Sequence, residues 1–252
     1  MKRSAALPPS RTVARQEREF RERDRRILDI ARELLLAKGY HGVSMDAIAE
    51  AIEYSKGTVY LHYRSKEDVL MALARETSEK RAEMFERAAQ FRGGTRERMV
   101  AVGEACALFV DLYPSHFRTE QILRMNSVRQ KSSPDRQEAL QGCEDRCMGT
   151  VSGIVRDAVA QGDLELRPPA NPVVLSFGLW SMTFGSYFLM SAELPLRHLG
   201  LADPRGALRR NCHALMDGYD WRPLFAEWDY EKTYARIRSE VFPEENSRAP
   251  RG

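Results

Sequence analysis

The sequence predicts an all-α protein, and three observations carry that prediction. Apolar residues recur at helical spacing, as in Ile27, Ile30, Ala31, Leu34 and Leu35. Three capping residues are each followed by proline, at Ser133-Pro134, Asn171-Pro172 and Asp203-Pro204, a pairing that marks a helix start. No segment of useful length alternates with the period of a strand, and no internal repeat is found. At 252 residues, with 43% hydrophobic and 30% charged residues, the chain has the composition of an ordinary soluble protein of one or two domains.

Taken in order, residues 1–24 read as a basic, flexible arm. Pro8-Pro9 is followed by Arg11, Arg15, Arg18, Arg21 and Arg23, interleaved with Glu17, Glu19 and Glu22. Arginine and glutamate are good helix formers, so the latter half can extend the first helix. Two roles are open: arginines laid along phosphates or into a minor groove, or a solvated tail of mixed charge. The first helix then runs to Gly39, a C-terminal stop. Ser44 caps a second helix, from Met45 to Ala51, with Asp46 in its first turn. Ile52-Glu53-Tyr54 separates it from Ser55, which caps a third.

This third stretch, Ser55-Lys56-Gly57-Thr58-Val59-Tyr60-Leu61-His62-Tyr63, organises the rest. Val59 and Tyr63 lie four apart and point inward. Lys56, Thr58, Tyr60, Leu61 and His62 make the other side, and Gly57 lets another backbone approach. Two short helices joined by such a turn form a helix-turn-helix. Ser65 caps the next helix, with Asp68 in the reciprocal position. Residues 1–66 hold 14 Lys+Arg against 9 Asp+Glu, while the remainder holds 25 against 27. Basic charge gathered at this end is the footprint of a nucleic-acid partner.

Residues from about 25 to 73, including Ile48-Ala49-Glu50-Ala51, Ser55 to Tyr60 and Ser65-Lys66-Glu67, resemble the DNA-binding domain of the TetR family. The family usually has glycine in the turn where this chain has Glu53. A side chain at positive φ is uncommon, so either Glu53 is strained or the turn is reshaped.

The resemblance implies a three-helix, helix-turn-helix domain over 25–71, followed by a helical ligand-binding and dimerisation domain over 72–243. Residues 244–252 are expected to be a disordered tail. Ser44, Lys56, Gly57, Thr58, Tyr60 and Lys66, with the cap Ser55, are then the phosphate-side candidates. Lys56, Tyr60, Leu61 and His62 are the base-edge candidates.

Downstream helices are expected from Lys66 to about Phe91 and from a Thr95 cap to Tyr113, halted by Pro114. Others are expected over 117–128, 134–161, 172–192, 204–219 and 229–241. The 172–192 helix is apolar around nearly its whole circumference, which asks for burial on more than one side. Gly178, Ser181 and Gly185 supply small residues for close helix approach. The resemblance assigns 172–192 and 204–219 to a homodimer interface. It gives the helices of 95–165 a cavity for an apolar or amphipathic small-molecule effector, with Phe109, Tyr113, His116, Met125, Trp180, Phe184 and Tyr187 as candidate lining residues.

The function implied is a repressor that binds a palindromic DNA operator as a dimer and is released by its effector. The alternatives are an activator or a regulator answering to a protein partner, and a helical adaptor without specific DNA binding. An enzyme is not expected: His41, His62, His116, His198 and His213 are scattered and fit no metal or hydrolase motif. No cofactor or metal site is expected. Cys143 and Cys147, one helical turn apart, read as small packing residues in a reducing compartment. No run of about 18 apolar residues and no secretion signal appear, so cytoplasm and no membrane are expected.

Overall fold

The first helix, α1 (Arg11–Gly42), is longer than the motif behind it requires. In this computed structural model, which describes residues 11–192 and 196–249, helicity begins inside the expected arm. Residues 1–10 of that arm lie outside the described residues. Gly39 sits at φ 70° and breaks α1 near its end, the conformation that glycine adopts at least cost.

The other helices are α2 (Met45–Ala51), α3 (Lys56–His62), α4 (Lys66–Ala89), α5 (Thr95–Leu112), α6 (Pro114–Arg124) and α7 (Val128–Lys131). They are followed by α8 (Pro134–Gln161), α9 (Pro172–Ser191), α10 (Pro204–Gly218), α11 (Tyr230–Glu240) and α12 (Pro243–Arg248). No strand occurs among the described residues.

The chain divides into two units, Met1–Leu73 with Ile122–Gln137, and Ala74–Gln121 with Glu138–Gly252. The first is built on buried Ile27, Ala31, Leu35, Ile48, Ile52, Val59, Tyr63, Leu70 and Leu73. Its stretch 122–137 is tied to α4 by the Ser133 N–H, which donates to Asp68 Oδ1 at 2.8 Å. Asp68 therefore does not complete the reciprocal cap; Ser65 Oγ still accepts from the Asp68 N–H at 3.2 Å.

The second unit has a continuous apolar core from Phe85 and Phe109 through Val155 and Leu175 to Trp221 and Phe242. The proline starts behave as expected: Asn171 Oδ1 accepts from the N–H groups of Val173 and Val174, and Asp203 Oδ1 from Gly206. Pro114 opens α6 rather than only ending α5, since its missing N–H is one that a first turn leaves unbonded. Thr95 is not the cap of α5. Gly94 holds that position, with its N–H on Glu97 Oε2 at 2.9 Å. The Thr95 hydroxyl is buried, accepting from Trp221 Nε1 at 3.0 Å and donating to Asp163 Oδ2 at 2.5 Å.

The expected tail is also corrected, because Pro243–Arg248 is helical. Arg87 holds it, donating to Glu245 Oε1 at 2.5 Å and to the Val241 carbonyl at 2.6 Å.

Helix α9 buries one side, Leu175, Ser176, Leu179 and Tyr187, and leaves Val173, Val174, Phe177, Trp180 and Leu189 exposed. By length and composition alone it is apolar enough to cross a bilayer, a test that the core helix of a soluble protein also passes. Here it packs on α10 and α5. A side chain at Gly178 would meet Leu215 Cδ2 at 3.1 Å, so that glycine serves the α9–α10 contact within the chain. At Gly185 nothing lies within 4 Å.

Candidate nucleic-acid interface

Two seven-residue helices, α2 and α3, carry the interface. Helices this short do not persist alone in water, so caps and burial must hold them. Ser44 Oγ accepts from the Ala47 N–H at 3.0 Å, and Ser55 Oγ from the Thr58 N–H at 3.2 Å. Each serine can still donate its own hydroxyl proton outward. In α3, Ser55 Oγ also lies 2.9 Å from Thr58 Oγ1. Between the helices the Tyr54 N–H reaches the Ala49 carbonyl at 3.1 Å. Glu53 takes φ 58°, so the strained alternative holds. The left-handed conformation costs a non-glycine residue about 1–2 kcal/mol.

Val59 and Tyr63 are buried, as their spacing predicts. At 100° per residue, Gly57 and Leu61 lie across the helix from them. Leu61 is 79% exposed, and Tyr60 beside it is also exposed. A leucine so placed offers a methyl surface suited to the methyl group of thymine. A side chain built at Gly57 would meet only Ser55 Oγ, at 3.7 Å. Packing within the chain therefore does not explain that glycine.

Lys56 is exposed and bonds Asp46 Oδ2 at 2.7 Å. This hydrogen bond and the charge of Asp46 hold its pKa above the usual lysine range, so it stays a cation. A phosphate oxygen can replace the carboxylate.

Two candidates are placed differently from expectation. The His62 side chain is only 2% exposed. It stacks on Phe20 with ring centroids 4.0 Å apart, and its Nδ1 lies 3.2 Å from Asp24 Oδ1. His62 is therefore removed from the base-edge set. Lys66 is turned onto Tyr40, its Nζ 4.2 Å from the ring centroid and 3.4 Å from the Tyr40 carbonyl oxygen. The Tyr40 hydroxyl donates to Glu67 at 2.7 Å, which with burial raises its pKa to about 12. Sequence reasoning missed Phe20, Asp24 and Tyr40.

In the second unit five of the seven effector candidates fall in one region. Phe109 and Tyr113 are 5.7 Å apart, and Tyr113 and His116 5.8 Å. Phe117, not foreseen, meets Phe184 at 5.9 Å and Tyr187 at 6.3 Å. Thr77 Oγ1 lies 3.2 Å from His116 Nδ1, and Arg81 donates to Glu120 Oε2 at 2.6 Å. Polar groups are thus set into an aromatic interior, the composition of many small-molecule sites.

Met125 does not join this region, and Trp180 meets it only at its edge, with ring centroids 6.3 Å from Phe184. Met125 is 77% exposed and belongs to the stretch grouped with the first unit. Trp180 is 41% exposed, on the outward side of α9, 6.0 Å from Phe177. Cys143 and Cys147 are buried free thiols, and burial raises the pKa of Cys147.

Residues 27–73 match the family model of bacterial regulatory proteins of the tetR family. The HTH-type transcriptional regulator UidR of Escherichia coli is 26% identical over 175 residues, covering 67% of this chain and 81% of that protein. The HTH-type transcriptional repressor AcnR of Corynebacterium diphtheriae is 33% identical over 66 residues, 26% of this chain and 35% of its own. Among solved structures, the TetR family regulator PfmR of Thermus thermophilus superposes with a TM-score of 0.58 at 21% identity, over 76% of this chain and 97% of that one. Joined to the capped, outward-facing α3, these likenesses identify residues 27–73 as a DNA-binding domain of the tetR family and the chain as similar to transcriptional regulators that carry it.

Proposed function

We propose that the protein is a cytoplasmic repressor that binds a palindromic operator as a homodimer and is released by a small-molecule effector. The observation that carries the reading is the outward face of α3. Lys56, Gly57, Tyr60 and Leu61 are presented to solvent on a helix whose opposite side is fixed in the core. Lys56 and the hydroxyls of Ser44, Ser55, Thr58 and Tyr60 suit phosphate contacts, while Tyr60 and Leu61 suit base edges.

Dimerisation is supported by α9. Its exposed row of Val173, Val174, Phe177, Trp180 and Leu189 is a large apolar surface for a lone chain to leave in water. A second copy packed on α9 and α10 would cover it. A two-fold dimer then reads half-sites about 34–36 Å apart, or a multiple of that. The name of AcnR, a repressor, supports the sign of regulation.

For the effector, the aromatic interior around Phe109, Tyr113, Phe184 and Tyr187, with Arg81, His116 and Glu120 set into it, suits an amphipathic molecule. Helix α4 runs from the DNA-binding unit into the other. An effector that binds the off-DNA state more tightly lowers operator affinity by that difference.

The test is selection of bound sequences from a random duplex pool by the full-length protein. A two-fold symmetric motif is the expected result. Equal binding to every duplex would overturn the proposal.

A further inference from the structure

The family-matched region begins at residue 27, yet α1 begins at Arg11. The added four turns are not an isolated rod. Phe20 and Asp24 lie one turn apart, in line with buried Ile27 and Ala31, and both meet His62, the last residue of α3. The Phe20 and His62 rings are nearly parallel, 15° apart, at 4.0 Å between centroids. Asp24 Oδ1 takes the ring edge at 3.2 Å from Nδ1. His62 also neighbours Tyr63, with ring centroids 6.5 Å apart at 25°, and Arg136 covers the Tyr63 ring at 4.7 Å. Three neighbouring rings and one cation thus gather at the C-terminal end of the recognition helix.

That end needs holding. Helix α3 buries only Val59 within its seven residues, then Tyr63 just past its end. Two inward residues on nearly one line fix depth better than they fix roll about the helix axis. Rotation moves Tyr60 and Leu61 across the groove, and from the inward side only Val59 and Tyr63 resist it. A ring clamped at His62, on a side next to the inward row, opposes such rotation.

We propose that Phe20 and Asp24 are positioning residues for operator recognition. Through His62 they set the roll of α3, so the helical addition ahead of the family-matched region contributes to sequence discrimination without touching a base.

The experiment measures full-length protein on its selected operator and on a random duplex, across salt concentrations. The wild-type ratio of the two affinities tests sequence-specific binding itself, before any variant is made. Phe20→Ala should lower operator affinity about tenfold, the worth of one aromatic contact. Its random-duplex affinity and salt slope should stay as in wild type, and Phe20→Tyr should restore the operator ratio.

Asp24→Asn gives the sharper separation. Removing a carboxylate near DNA favours binding to every duplex by charge alone, whereas a positioning role predicts a lower operator-to-random ratio. Losses in Phe20→Ala and His62→Ala should also fail to add in the double variant. Phe20 is partly exposed, so its replacement should leave the melting transition near that of wild type. An unchanged operator ratio in both Phe20→Ala and Asp24→Asn would overturn the proposal. So would additive losses, or an equal fall on both duplexes with a shallower salt slope.

Discussion

The charges around α3 and those around α5, one set in each unit, are used in opposite ways. In the DNA-binding unit the charges around α3 are at the surface: Lys56 and Asp46 are both about two-thirds exposed and bond each other. In the second unit a set of charges around α5 is buried and bonded several times over. Arg96 is fully buried, meeting Asp217 Oδ1 at 2.6 Å, the Trp221 carbonyl at 2.5 Å, and His213 at both Nδ1 and the carbonyl at 3.2 Å. Buried Glu104 takes Arg209 at 2.5 Å and Arg238 at 3.0 Å. A surface pair can exchange partners when a phosphate arrives. A buried one cannot, because breaking it strands a charge in a medium that does not solvate it. The first arrangement suits reversible binding, and the second fixes α5, α10 and α11 against one another.

The largest effect expected from this contrast is at Arg96. Arg96→Met should lower unfolding free energy by about 3 kcal/mol, read from the urea midpoint at unchanged slope. Lys56→Ala should leave that midpoint within about 0.5 kcal/mol. Equal effects at the two sites would break the comparison.

Next in size is self-association. Phe177, 58% exposed on α9, faces no partner core within the chain. Phe177→Glu should convert dimer to monomer in sedimentation equilibrium while keeping the helical circular dichroism. A variant that stays dimeric would move the interface elsewhere. Gly178 is a poor probe of that interface, because it faces Leu215 of its own chain.

The buried network also predicts a pH dependence. Burial, and then the neighbouring Arg96 charge, push the His213 pKa down to about 4. Its bonds agree with a neutral ring: Nδ1 accepts from Arg96, which leaves Nε2–H to donate to the Tyr234 hydroxyl at 2.9 Å. The unfolded chain then binds the proton more readily than the folded one, so stability falls as pH drops from about 6.5 toward 4. The melting temperature of wild type should decline through that window, and His213→Gln should flatten the decline. An equal decline in both proteins would assign it to other groups.

The smallest effect is at the turn. Glu53→Gly should raise stability by about 1 kcal/mol by relieving the positive φ, with operator affinity retained. A loss of stability would mean that the Glu53 side chain contributes more than the strain costs.

How much of this was legible in the sequence follows the same division. The helix-turn-helix was readable because its determinants are local. Ser44 and Ser55 sit three residues from the N–H groups they cap, and Val59 and Tyr63 are set by helical period. The proline-led starts at 134, 172 and 204 were readable for the same reason. The buried network was not, since Arg96 and Asp217 are far apart in sequence and nothing local marks them as partners.

His62 was misread on a smaller scale. Its position on α3 is correct, but what covers it comes from α1. A signal was present: Phe20, Asp24, Ile27 and Ala31 continue one helical face into the stretch taken as an arm. Trp180 lies between the two roles, 6.3 Å from Phe184 yet 41% exposed, because an apolar side chain suits a pocket and an interface equally. The helix at 243–248 was hidden by its polar composition; what holds it is Arg87, from a distant helix.

The most direct test of the account is to repeat the operator selection with Leu61→Gln. If the outward face of α3 reads base edges, the enriched motif should change at one position in each half-site, symmetrically, because glutamine prefers adenine where leucine meets a thymine methyl. Binding to random duplex should be unaltered. The same motif enriched by both proteins would contradict the account and place sequence recognition on another face.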